Sequence, residues 1–372
     1  MRILVAGDFC DRYRVSEKIA KGDFSMFDDV RSVISKSDYS IVNFEFPIVL
    51  SDGKPIPKCG PNLKGQKASI DAIKYAGFNV CTLANNHILD QGDECCVQTK
   101  YMLEGAGIKT VGAGKNLNEA SLILYLHKDD ETLAIINCCE HEFSIAEESK
   151  AGANPLNPIN QYYKIQAAKN NADFILVIVH GGHENYQLPS PRMKEVYRFF
   201  VDAGADAVVN HHQHCYSGYE VYRGKPIFYG LGNFCFDHIE ERDGSWNEGY
   251  MVGLNLTKSE KTQYELIPYT QCKECVSIQR LHNDNVSQFK RKVIELNNII
   301  NDDTMLYNNY KEYQGLIKAD YNIVFQPYRS RLFRGLFNRG VLPSYLPIDL
   351  KLRIMNYLTC ESHLDNLKSS IL

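Results

Sequence analysis

The stretch Leu83-Ala84-Asn85-Asn86-His87-Ile88-Leu89-Asp90-Gln91-Gly92 closes the apolar run that begins at Phe78, and its reading decides the fold. Phe78-Asn79-Val80-Cys81-Thr82-Leu83 reads as a buried strand, which delivers two amides, an imidazole and a carboxylate to its C-terminal end. In an α/β sheet that end is where ligands sit. A carboxamide oxygen is a neutral, hard metal ligand, the adjacent imidazole of His87 can protonate a leaving group, and Asp90 is placed to hold that imidazole in one tautomer. Taken alone, the stretch reads equally well as a turn whose amides satisfy the backbone. The rest of the chain decides between the two.

Working outward, other apolar runs end in the same way. Arg2 to Ala6 is a short β-rich run closed by Gly7-Asp8. Tyr39-Ser40-Ile41-Val42-Asn43-Phe44 ends on Glu45, with Phe46-Pro47 stopping the ladder, although a glutamate at such a place more often faces solvent. Phe174 to Val179 ends on His180-Gly181-Gly182-His183-Glu184, and Asp206 to Val209 ends on Asn210-His211-His212-Gln213-His214. Between these runs lie helical patterns over Phe24–Lys36, Gln66–Ala76, Cys96–Ala106, Ile159–Asn170 and Arg192–Ala203, several stopped by glycine. A hairpin is expected from Leu122–Leu126 and Leu133–Cys138, and a second around Arg223-Gly224. This alternation predicts a layered α/β fold. Beyond residue 273 the chain turns helical, over 285–300 and 350–367, with a local run of Arg329, Arg331, Arg334 and Arg339. The expected division is 1–272 and 273–372.

The chain has 372 residues, enough for a large core plus an appendage. A net charge of -4 and a pI near 6.3 leave no broad basic field, so nucleic acid is not expected as a partner. Twelve cysteines are present. Cys81, Cys138, Cys139 and Cys235 sit in apolar runs, where a reduced thiol behaves as a small hydrophobe. Met1 to Asp8 is too short an apolar run for a signal peptide, and no stretch approaches the ~20 residues that cross a membrane. A reducing cytoplasm is the expected location.

Five strand-like runs thus finish on potential ligands: Asp8, Glu45, Asn86, His180 and the 211–214 histidines. In a layered α/β fold those tips converge on one edge. The mix of carboxylate, carboxamide and imidazole suits borderline cations such as Mn, Zn or Fe and argues against calcium or thiolate-bound zinc. Two ions bridged by a carboxylate use such a set more naturally than one; a pair of this kind clamps a phosphoryl group and activates water.

The sequence resembles the CapA/PgsA-type capsule (poly-gamma-glutamate) biosynthesis family, a branch of the calcineurin-like metallophosphoesterase superfamily. The matching motifs are Gly7-Asp8, Asn43-Phe44-Glu45-Phe46-Pro47, Ala84-Asn85-Asn86-His87 through Gly92, His180-Gly181-Gly182-His183-Glu184, Asn210-His211-His212-Gln213-His214 and Tyr229-Gly230-Leu231-Gly232-Asn233-Phe234. They run in order over residues 1 to about 240. The resemblance implies a layered α-β-β-α sandwich with one or two divalent ions. Asp8 and Glu45 would bind the first ion, with Glu45 bridging. Asn86 and His180 would bind the second, and His212 and His214 would give one nitrogen to each. His87 would be the general acid and Asp90 its orienting partner. Cys10 stands where the superfamily has a further histidine, and Asn210 stands where it has glycine, which leaves His211 and His212 as alternatives.

Around this set, Glu184, Glu140, His141, His211 and Asn233 are candidates for contact with substrate; Glu140 and His141 read equally well as a solvated loop, and Glu184, which closely follows a predicted ligand, as a support for it. Cys10 reads as a packed thiol or a ligand, and Cys272-Lys273-Glu274-Cys275 as two unrelated thiols or half a zinc site. The arginines at 329–339 read as a solvated helical face or as a site for an anionic polymer. The expected function is that of a metal-dependent hydrolase of an anionic small molecule or polymer, working with polymer-synthesis machinery. The alternative is a non-catalytic assembly factor using the same pocket.

Overall fold

In the computed structural model, residues 1–50, 53–258, 262–328 and 330–371 are described. Arg329, and the first two residues of the 51–62 loop, therefore lie outside the described residues. By compactness the chain divides into Met1–Leu306 and Tyr307–Leu372.

Among the described residues, the first unit holds two large sheets. One has the strand order Ile278–Arg280, Gln263–Gln271, Glu248–Asn255, Arg2–Cys10, Tyr39–Phe44, Val80–Thr82, Lys109–Val111, with Asn233–Phe236 pairing alongside Arg2–Cys10. The other runs Tyr219–Tyr222, Lys225–Phe228, Ala207–His211, Phe174–His180, Glu131–Cys139, Leu124–Lys128.

Side-chain alternation along the strands shows how they stack. On Arg2–Cys10, Ile3 and Val5 enter an apolar layer shared with Ile135, Leu176 and Ile178 of the other sheet, while Leu4 and Ala6 face helices on the outside. On Phe174–His180, Ile175, Val177 and Val179 face outward onto Ile165 and Tyr197, which belong to the helices Pro158–Lys169 and Pro191–Ala203. The order is helices, sheet, sheet, helices: the layered sandwich that the resemblance implied. Strands buried on both faces explain why the sequence carries near-continuous apolar runs instead of alternating ones.

Local signals fix the connections. Gly77 ends Ala68–Ala76 at φ 104, which an L side chain adopts only with strain. Ser190 caps Pro191–Ala203 by accepting from the Met193 amide, with proline at the first helical turn.

Several sequence expectations change. The helix expected over 24–36 is a short 3₁₀ turn, Ser25–Phe27, followed by Asp28–Ile34. No motif marked the antiparallel strands Glu248–Asn255, Gln263–Gln271 and Ile278–Arg280, because none of them carries a candidate ligand. The compact unit also runs past residue 272: Phe289, Val293 and Ile300 of helix Asp284–Asn301 are buried in its core. The single helix expected over 350–367 is two, Ile348–Thr359 and Glu361–Ile371, with Cys360 extended between them. Among the described residues no helix is long and apolar enough to cross a membrane.

Candidate metal centre

Asp8 does not end its strand. It sits inside Arg2–Cys10 at a register irregularity next to Phe9, where Asn233–Phe236 joins in parallel. Gly7 is required for that approach, since a Cβ there would lie 1.8 Å from the Gly232 carbonyl oxygen. Glu45 follows Tyr39–Phe44 directly, Asn86 lies four residues beyond Val80–Thr82, and His180 is the last residue of its strand. His212 and His214 follow Ala207–His211 with φ of 91 and 56, a left-handed backbone that is costly for non-glycine residues and is tolerated where the surroundings impose it.

These side chains meet. Glu45, His180 and His212 offer donor atoms within 4.8 Å of one another, and so do Asp8, Glu45 and His214; Glu45 belongs to both groups. His180 Nε2 lies 3.1 Å from Asn86 Oδ1, 3.1 Å from His212 Nδ1 and 3.6 Å from Glu45 Oε1. His214 Nε2 lies 3.9 Å from the same Glu45 Oε1. That oxygen is buried and has no hydrogen-bond partner. A buried carboxylate oxygen without a donor is costly, and here it is ringed by lone pairs. A cation between those atoms relieves both problems, so the donor set fits one or two divalent ions.

The electrostatics point the same way. Burial, and then the nearby charge of Asp8, push the Glu45 carboxyl well above the usual range. Burial pulls His180 well below its ordinary value, and lowers His214 and His211 too. Neutral imidazoles are the form that binds metal. Asp8 and Glu45 are 1% and 0% exposed, whereas Asn86, His87, His212 and His214 keep 5 to 7%, so the open side of the pocket is the histidine side.

Beside the pocket, His87 Nδ1 lies 2.6 Å from Asp90 Oδ2. Asp90 also accepts from the Leu63 amide at 2.6 Å and from Lys58 Nζ at 2.6 Å, and Lys58 reaches His87 Nδ1 at 3.2 Å. Burial lowers the His87 pKa, and Asp90 opposes it.

The remaining candidates fall elsewhere. His211 turns away, with Nε2 2.9 Å from the Ala6 carbonyl, so the geometry groups His212 and not His211 with the other donors. Asn233 sits behind His214, its Oδ1 2.9 Å from Nδ1, a contact that aims the opposite nitrogen at Glu45. Glu140 is tied to Arg192 and the Gly182 amide. Glu184 is exposed, within electrostatic range of Glu45 and His214. Cys10 packs in the apolar outer layer with Phe9 and Phe44. Cys272 is buried and Cys275 exposed, both as free thiols.

Sequence reading missed four participants. Asn43 donates to Asp8 Oδ1 at 2.7 Å and lies 3.2 Å from His180 Nδ1; its position two residues before Glu45, on the same strand face, was the available signal. Glu142 accepts from Asn86 Nδ2 at 3.2 Å and lies 3.7 Å from His212 Nε2. Trp246 packs on the His214 ring at 4.8 Å. Lys58 was hidden in a loop without periodicity.

The sequence profile of the bacterial capsule synthesis protein PGA_cap family matches residues 2–238, which contain every residue of the pocket except Trp246. The chain belongs to the PGA_cap family. This PGA_cap chain is 34% identical over 246 residues to the capsule biosynthesis protein CapA of Bacillus anthracis, covering 64% of this chain and 60% of that one. It is 32% identical over 260 residues to the PGA biosynthesis protein CapA of Bacillus subtilis, covering 68% of each. Among solved structures, a phosphatase from Mycoplasma pneumoniae aligns with a TM-score of 0.47 at 16% identity, over 74% of this chain and 95% of that one.

Proposed function

We propose that this PGA_cap chain is a metal-dependent hydrolase, acting on a phosphoester or a related substrate with a tetrahedral intermediate, in the metabolism of an anionic surface polymer. The observation that carries the reading is the unpartnered Glu45 Oε1 shared by two donor groups, with a carboxylate-backed imidazole beside it. Asp8, Glu45 and His214 would hold one ion; Glu45, Asn86, His180 and His212 the other. Bound there, divalent cations of the Mn, Zn or Fe kind supply charge stabilisation and activate water. The protein's own part is positional. Asn43 and Asn233 fix His180, Asp8 and His214. Asp90 steadies the charged form of His87, which gives its proton to the leaving group from the open side of the pocket. Lys58 anchors Asp90.

The test is turnover of an aryl phosphate with Mn, alongside metal analysis. His87→Ala is expected to cut turnover by about 10²–10⁴-fold with metal content retained, whereas His212→Ala loses metal. Wild-type activity in both variants rejects the assignment. A second reading, a non-catalytic assembly factor, draws on Cys10, whose packing in the apolar layer leaves the Asp8 group with three protein donors. Absence of turnover together with less than one ion per chain favours that reading.

A further inference from the structure

The Tyr307–Leu372 unit carries nine Lys and Arg against five Asp and Glu, in a chain whose totals are 41 and 45. This unit is therefore net positive, while the rest of the chain is net negative. Among the described residues, the same unit leaves many apolar side chains exposed. In helix Arg331–Asn338, Leu332 and Phe333 are 70% and 49% exposed and lie on one side, with Arg331 and Arg334 on the other and Arg339 just after. In helix Ile348–Thr359, Ile348, Leu352 and Met355 recur at i, i+4 and i+7 with 66%, 63% and 56% exposure, next to Lys351. Tyr328, just before the first of these helices, packs on Phe337 and on Tyr345, and amphipathic tyrosine rings settle at headgroup level.

We propose that this unit docks on an anionic membrane surface. The helices span 8 and 12 residues, short of the ~20 that cross a bilayer, so they lie in the interface with the apolar side chains among the acyl chains and the cations at the headgroups. The charge decides for lipid. Arg331–Asn338 contains no acidic residue, and its apolar stripe is flanked by guanidinium groups that match phosphate headgroups.

The test is co-sedimentation of the full chain with phosphatidylcholine vesicles, with and without phosphatidylglycerol. The expected result is binding that requires phosphatidylglycerol and weakens with added salt. Each cation near such a surface contributes about fivefold, so Arg331→Gln/Arg334→Gln/Arg339→Gln is expected to weaken partitioning on the order of 100-fold. Leu332→Ser/Phe333→Ser abolishes it by removing the apolar anchor. Both sets lie at exposed positions, so thermal unfolding of the variants is expected to match wild type. Failure to sediment, equal binding to neutral vesicles, or indifference to either set of substitutions overturns the proposal. So does self-association of the vesicle-free protein that Leu332→Ser/Phe333→Ser reverses, which would assign the face to a second copy.

Discussion

Lys58→Met removes the cation that anchors Asp90. The pair is 2.6 Å apart, with side chains 2% and 0% exposed, so solvent does little to screen it. Breaking a buried pair from one side typically costs about 3–5 kcal/mol, because the remaining charge is left uncompensated. Here Asp90 keeps the Leu63 amide and His87 Nδ1, which places the expectation at the low end, about 3 kcal/mol. The assay is denaturant unfolding of wild type, Lys58→Met, Asp90→Asn and the double variant. Residues in direct contact couple by about 0.5–3 kcal/mol, so the double variant is expected to cost clearly less than the two single variants together. The same lysine lies 3.2 Å from His87, so turnover is expected to fall as well while metal content stays at the wild-type level. Single-variant costs that add within about 0.5 kcal/mol would refute the linkage. Loss of metal in Lys58→Met would move the lysine's role from His87 to the ion pocket.

Further outcomes follow from the same geometry. His87, His180, His211 and His214 are each held below the ordinary 6.5 by burial. Their folded-state values are depressed, so their stabilising contribution is complete above pH 6.5 and is lost as pH falls from there through the folded values. Glu45, raised by burial, acts in the opposite sense, but one carboxyl stands against four imidazoles. The thermal midpoint of chelator-treated protein is therefore expected to drop below pH 6.5, and Glu45→Gln is expected to steepen that drop, whereas a profile that stays flat between pH 7 and 5 in Glu45→Gln would contradict this. Asn233→Leu frees His214 Nδ1, and should lower affinity for one ion by about 10–100-fold while sparing the other. Isothermal titration with Mn reads this as selective loss of one binding step.

The fold was legible because strands buried on both faces carry long apolar runs, and because each motif follows one of them. Glu45, Asn86, His180 and the 211–214 histidines could be named as a group from position, since the ends of parallel strands share an edge, and Asp8 was named with them although it lies inside its strand. What stayed hidden depends on side-chain direction and loop path. His211 and His212 are neighbours in sequence, and only the left-handed backbone at His212 separates the one facing Ala6 from the one facing His180. Glu140 and Glu142 are similarly placed, yet Arg192 captures the first and Asn86 meets the second. Lys58 reaches the pocket from a loop whose course no periodicity encodes. The strands of 248–280 carry no ligand motif and were invisible to that logic.

The central claim is that Glu45 joins two cation sites. Anomalous diffraction from manganese-loaded crystals tests it most directly. Two peaks are expected, each about 2 Å from a Glu45 oxygen, one beside Asp8 and His214 and the other beside Asn86, His180 and His212. Peaks elsewhere, or none within reach of Glu45, would contradict it.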